Sequence, residues 1–223
     1  MRDDLLTMPA AENSHGAPQP AVSLVRMLVG EVKVVGSLPE VPVLLCGNHV
    51  SYRDVFLFGM IRSSARLLVH PLVFSFPFLK RWALRWGFVQ VSIDDAVALL
   101  RQGQTVAICP TGLVEALGDA GLPFKTGAVR IAQRAGVPMV PVYFHYGNYP
   151  GRWVTPFSIT VQNMILFCLW PFYRRGVTIV IGAPMDPAGD VKGRTVDLQS
   201  AVGRLRSVFE QGDQRASTRC PPA

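Results

Sequence analysis

Val43-Leu44-Leu45-Cys46-Gly47-Asn48-His49-Val50-Ser51-Tyr52-Arg53-Asp54 joins two kinds of sequence. The apolar run Val43 to Cys46 reads as a buried strand, and Val55 to Arg62 has helical character. His49 then falls in the strand-to-helix turn and Asp54 in the first helical turn. Residues at this separation do not share a helix face, so the two side chains meet only if the backbone bends between them. A turn supplies the bend. The product is an imidazole with one nitrogen held by a carboxylate and the other facing an open site, as a general base requires. On its own the pair is a weak signal, because two incidental surface residues are the commoner explanation of so short a motif. Of the other histidines, His15 lies in a Pro/Gly/Ala-rich leader and His145 follows an apolar run; only His70, before Pro71, has a claim to a site.

Outward from this turn, the pattern alternates. A short helix, Val22 to Val29, precedes a strand with Val32 and Val34 on one face. After the turn come a helix and a strand, Arg66 to His70. Phe78 to Trp86 is an amphipathic helix, with Leu79, Trp82, Ala83 and Trp86 on one stripe and Lys80, Arg81 and Arg85 opposite. Strand Phe88 to Val91 and a helix through Ala96 to Leu100 follow, the helix ended by Gln102-Gly103. Thr105 to Cys109 is a buried strand closing in Pro110-Thr111-Gly112. Gly127 to Ala135 is helical with Gly136 as its stop, Met139 to Phe144 and Val177 to Ile181 are strands, and a last helix carries Leu198, Val202, Leu205 and Phe209 on one stripe. This alternation predicts an α/β fold: a single domain over residues 21–210, with a central mixed, mostly parallel sheet covered by helices. Residues 1–20 read as a disordered leader and 211–223 as a disordered tail.

Composition narrows the function classes. The 223 residues are 49% hydrophobic and 17% charged, with mean hydropathy +0.28, which points to a surface that meets lipid. A net charge of +7 favours acidic partners. Nucleic acid is set aside, because no Lys/Arg cluster or recognition signature appears. The four cysteines, Cys46, Cys109, Cys168 and Cys220, lie far apart and form no metal-binding spacing. They read as free thiols in a reducing compartment. No signal peptide and no spanning run stands out, so the expected location is cytoplasmic, peripheral on the inner face of the membrane.

The order of motifs resembles the glycerolipid and lysophospholipid acyltransferase superfamily. Val35-Gly36-Ser37-Leu38-Pro39, then Val43 to His49 with Asp54, resembles its first motif; Gly87 to Val91 stands in the second motif's place and Cys109-Pro110-Thr111-Gly112 in the third's. Val140-Pro141-Val142 is similar to the fourth, and Ile181-Gly182-Ala183-Pro184 to the closing strand. The third motif departs from the pattern. Phosphate-handling members carry Pro-Glu-Gly-Thr-Arg there, and this chain has Pro110-Thr111-Gly112-Leu113-Val114, without the glutamate or the arginine. Its continuation, Glu115-Ala116-Leu117, then Lys125, then Ala128-Val129-Arg130-Ile131-Ala132, resembles the branch of type-two diacylglycerol acyltransferases and phytyl ester synthases.

The resemblance implies transfer of an acyl group from a thioester, acyl-CoA or an acyl carrier protein's phosphopantetheine, to a hydroxyl or amine acceptor. No bound cofactor or metal is implied. His49 would act as base and Asp54 would orient it. The turn at Pro110, Thr111 and Gly112 would offer backbone N–H groups to the oxyanion, and Glu115 either binds the acceptor or braces the turn. Loss of the arginine removes the bidentate phosphate partner, which favours a lipid-like acceptor without a phosphomonoester, unless Lys125 or Arg130 restores the charge. Two aromatic-basic stretches, Pro71 to Trp86 and Met164 to Arg175, are the candidates for membrane contact. A phosphate acceptor remains the alternative, as does a non-catalytic lipid- or carrier-binding role on the same fold.

Overall fold

A computed structural model describes residues 23, 25–27, 29–51, 53–75, 77–112, 114, 122–146, 161, 165 and 176–219. Strand β1 (Val32–Val35) is followed by β2 (Leu44–Gly47), helix α1 (Asp54–Ile61), β3 (Arg66–Val69), α2 (Leu72–Ser75), α3 (Pro77–Arg85) and β4 (Phe88–Gln90). Then come α4 (Ile93–Arg101), β5 (Val106–Ile108), α5 (Gly127–Ala135), β6 (Met139–Tyr146), β7 (Val177–Ile181) and α6 (Val191–Arg219). The described strands form a seven-stranded sheet in the order β1-β7-β6-β2-β5-β3-β4. Every neighbouring pair is parallel except β6 and β7. The mixed, mostly parallel α/β sheet expected from the sequence is the one observed.

Local chemistry explains where the elements begin and end. All four residues of β2 are buried, as a parallel strand covered on both faces must be. Helix α4 starts at Ser92, whose hydroxyl accepts the Asp95 N–H at 3.3 Å, with Asp94 and Asp95 in its positive first turn. Helix α5 stops at Gly136, which adopts φ 70° and returns its N–H to the Ala132 carbonyl at 2.9 Å.

The pleat that runs from Val43 into β2 sends Val43 and Leu45 into one core and Leu44 and Cys46 into another. Phe56, Leu57 and Phe58 of α1 and Ala83 of α3 cover the first face. Residues of α4, α5 and α6 cover the second. The chain therefore leaves β2 over one face of the sheet and leaves β5 for the other, although the two strands are neighbours. Such a divergence opens a crevice at the carboxyl ends of the strands, the usual ligand site of open α/β sheets. Gly47 closes β2 where a side chain has no room. A Cβ there would lie 2.8 Å from Phe58 and 2.9 Å from Phe144, whose rings meet edge to face at 4.9 Å.

Several boundaries differ from the sequence reading. Strand β6 continues through His145 to Tyr146, because β7 pairs with it antiparallel as far as Tyr146↔Val177. The short α2 was not anticipated. Helix α6 extends to Arg219, past residue 211 where the disordered tail was expected to start. The leader, residues 1–20, lies outside the described residues.

Candidate active site

His49 lies just beyond the carboxyl end of β2, and Asp54 is the first residue of α1. The bend between them brings His49 Nδ1 to 3.1 Å from Asp54 Oδ2. The same oxygen accepts the backbone N–H of Val50 at 2.6 Å and of Ser51 at 2.8 Å. The Asp54 side chain is fully buried, while that of His49 keeps 15% of its surface exposed. A carboxylate so enclosed is tolerated because charge-assisted hydrogen bonds and the positive end of α1 replace its water. With Nδ1 at the carboxylate, Nε2 is the ring nitrogen left outside this contact.

Three neighbours brace this turn. The Asn48 side-chain amide donates to the Phe144 carbonyl at 3.2 Å and accepts the Phe144 N–H at 2.7 Å, continuing the β2–β6 pairing through a side chain. Tyr146, at the end of β6, donates its hydroxyl to Asp54 Oδ1. Arg53 is buried, with its guanidinium carbon 5.4 Å from the centre of the Tyr146 ring and its Nε 3.3 Å from the Ser51 hydroxyl. The sequence reading missed Tyr146 and the bracing roles of Asn48 and Arg53. Phe144 and Tyr146 stand on the same face of β6, a period-two relation visible only once that strand is extended and placed beside β2.

The β5 turn stands next to the histidine turn. Cys109 Sγ lies 3.8 Å from the Asn48 carbonyl, and Thr111 is buried. Gly112 adopts φ 68° and gives its N–H to the Cys109 carbonyl at 3.0 Å. Pro110 has no N–H and that of Gly112 is engaged within the turn, so neither is an open oxyanion donor in this state. Lys125 joins the turn: its N–H donates to the Pro110 carbonyl at 2.9 Å, and its Nζ lies 2.8 Å from where a Gly112 Cβ would stand. A larger residue at Gly112 would displace that ammonium. Arg130, exposed one turn into α5, has no hydrogen bond to the dyad among the described residues. Glu115 lies outside the described residues, as does most of the stretch from Met164 to Arg175.

Cys46 is free and buried in β2, and desolvation pushes its thiol far above the ordinary range, so it is inert. Cys109 is partly buried. His70 is exposed at the end of β3. Among the described residues no group of His, Cys, Asp and Glu has the arrangement to hold a metal ion. An open depression lined by Gln133, Gly136 to Pro138 and Pro184 to Gly189 lies at the amino end of β6, away from His49, and takes no part in this site.

Comparison with known proteins bears on what such a site does. The profile of the Acyltransferase family matches residues 31–145, which include the whole dyad and the β5 turn. A 1-acyl-sn-glycerol-3-phosphate acyltransferase of Pseudomonas aeruginosa is 27% identical over 187 residues, covering 76% of this chain and 65% of that one. Human acyl-CoA wax alcohol acyltransferase 2 is 27% identical over 175 residues, covering 62% of this chain and 52% of that one. The chain thus spans less than two thirds of the length of these relatives. The crystal structure of the 1-acyl-sn-glycerophosphate acyltransferase PlsC of Thermotoga maritima superposes with a TM-score of 0.61 at 22% identity, over 82% of this chain and 74% of that one. That likeness concerns the fold.

Proposed function

The chain belongs to the Acyltransferase family, and from that premise we propose that it moves a fatty acyl group from a thioester donor to the hydroxyl of a lipid-like acceptor. His49 Nε2 takes the hydroxyl proton as the acceptor oxygen attacks the thioester carbonyl. The tetrahedral intermediate then collapses, the thiolate leaves with the proton from His49, and an ester and a free thiol result. Asp54 holds the ring and stabilises the imidazolium between the two steps. The observation that carries this reading is the contact of His49 Nδ1 with a fully buried Asp54. Coenzyme A and an acyl carrier protein are both acidic and both suit a chain of net charge +7.

The acceptor we favour has no phosphomonoester. The β5 turn lacks the arginine that would grip one bidentately, and one relative is named for a wax alcohol. Both features support a kinship with the diacylglycerol acyltransferase and phytyl ester synthase branch. One observation favours a second reading, a phosphate-bearing acceptor: the Lys125 ammonium sits over Gly112, and another relative is named for acyl-glycerol-phosphate. Either substrate is membrane-borne. No helix of the described residues is long and apolar enough to cross a membrane. Helix α3, with Lys80 and Arg81 exposed, would rest on the anionic inner face.

Mass spectrometry of products from an acceptor panel, run with matched acyl-CoA and acyl-carrier donors, tests this directly. Ester formation that requires an alcohol acceptor supports transfer. Fatty acid released equally fast with no acceptor present would make the protein a hydrolase, and no turnover with any donor would favour a binding role.

A further inference from the structure

Two rows of contacts hold the His49 turn, and they come from different parts of the chain. The N–H groups on Asp54 Oδ2 belong to Val50 and Ser51, inside the turn itself. The hydroxyl on Oδ1 belongs to Tyr146, 92 residues further along. Two positions earlier on the same strand, Phe144 holds Asn48 through both of its backbone groups. Strand β6 thus grips the turn at each end, by main chain at Asn48 and by a phenol at Asp54. The grip on the acid matters more to chemistry. A buried carboxylate fixed at one oxygen can still rock about its Cα–Cβ and Cβ–Cγ bonds, whereas a donor on each oxygen fixes its plane. The lone pair offered to His49 then has one direction.

We propose that Tyr146 is a positioning residue for the His49–Asp54 pair, acting through its hydrogen bond to Asp54 Oδ1 to aim Oδ2 at His49 Nδ1. The inference rests on the proposed role of His49 as base. Arg53 supports the phenol from behind by stacking its guanidinium on the ring. Ionisable groups packed on the turn include Arg53 on the turn itself, Tyr146 from β6 and Cys109 beyond β5. Tyr146 contacts the acid with its polar atom. Nothing in the local sequence marks it, and its neighbour His145 packs away from the pair on Phe209 of α6 with ring centres 4.8 Å apart.

The test is Tyr146→Phe, which keeps the ring against Arg53 and removes one oxygen. The expected result is a fall in kcat on the order of ten- to a hundred-fold with KM unchanged, the worth of one hydrogen bond to a charged group. The second readout is the nuclear magnetic resonance signal of the His49 Nδ1–H, assigned by its loss in His49→Gln. In Tyr146→Phe that signal is expected to move and to exchange faster with solvent. Tyr143→Phe is the matched control: its hydroxyl, also on β6, meets Glu210 of α6 at 3.2 Å and should change neither readout. Both comparisons are made below the melting temperature of the less stable variant, so that folding does not enter. Wild-type kcat together with an unmoved Nδ1–H signal in Tyr146→Phe would overturn the proposal, as would equal effects in Tyr143→Phe. Because the resonance needs no turnover, a protein that transferred no acyl group yet showed the shifted signal would refute the proposed function and leave the positioning role standing.

Discussion

Asp54→Asn separates the charge of the orienting acid from its shape. Three donors converge on Oδ2, from His49 at 3.1 Å, Val50 at 2.6 Å and Ser51 at 2.8 Å, while Tyr146 serves Oδ1. An asparagine whose oxygen takes the place of Oδ2 keeps all three, and its amide nitrogen, at Oδ1, donates to the Tyr146 oxygen once that hydroxyl proton turns away. The bonds survive and the charge does not. A hydrogen bond to a charged group contributes about 1.5–3 kcal/mol and a neutral one about 0.5–1.5, so the two backbone bonds together weaken by roughly 2 kcal/mol. Removing a charge from a fully buried site returns part of that, leaving a net loss of about 1 kcal/mol. Asp54→Ala instead takes the acceptor from the buried Ser51 N–H and the half-buried Val50 N–H and should cost about 3–5 kcal/mol. Activity should order differently, because neither variant stabilises the imidazolium. Both should lose on the order of a hundred- to ten-thousand-fold in kcat. Urea unfolding and product formation, measured on the same preparations, give the two orders. Asp54→Asn as unstable as Asp54→Ala, or within threefold of wild-type activity, would refute the reasoning.

Further outcomes follow from single contacts. Gly47→Ala places a methyl 2.8 Å from Phe58 and 2.9 Å from Phe144 and should destabilise by about 1–3 kcal/mol in urea melts, with β6 displaced beside His49. Asn48→Ala leaves the N–H and carbonyl of the buried Phe144 without their partner and should cost about 2–4 kcal/mol by the same measurement. Cys46 should escape thiol reagents until the protein unfolds. Its folded thiol holds its proton well above the pH at which the unfolded thiol ionises, so this contribution to stability is complete below about pH 8.5 and falls as pH rises beyond it, by about 1.4 kcal/mol per unit. Melts between pH 7 and 10 on wild type and Cys46→Ala isolate that slope; equal slopes in the two proteins would contradict it.

The sequence made the His49 turn legible because everything needed lay within it: an apolar strand, a polar turn and an acid at a helix start. The boundaries of α5 and β7 were equally local, set by the Gly136 stop and by an isolated β-branched run. Tyr146 was illegible for the opposite reason. Its place depends on β6 pairing with β2 on one side and β7 on the other, and pairing partners are not written in either strand. The oxyanion role read into Gly112 met a similar limit, since the turn consumes that N–H itself. Lys125 was named for its place in the motif order and for its charge. Its seat over Gly112 required the bond from its N–H to the Pro110 carbonyl, which draws the chain back across the β5 turn.

Acyl transfer by His49→Gln tests the central claim most directly, followed by mass spectrometry with the best donor and acceptor from the wild-type panel. Glutamine keeps a polar side chain of similar reach but cannot take the acceptor's proton. The account expects ester formation to fall by at least a hundred-fold with the melting temperature little changed. Ester formed at the wild-type rate would contradict it.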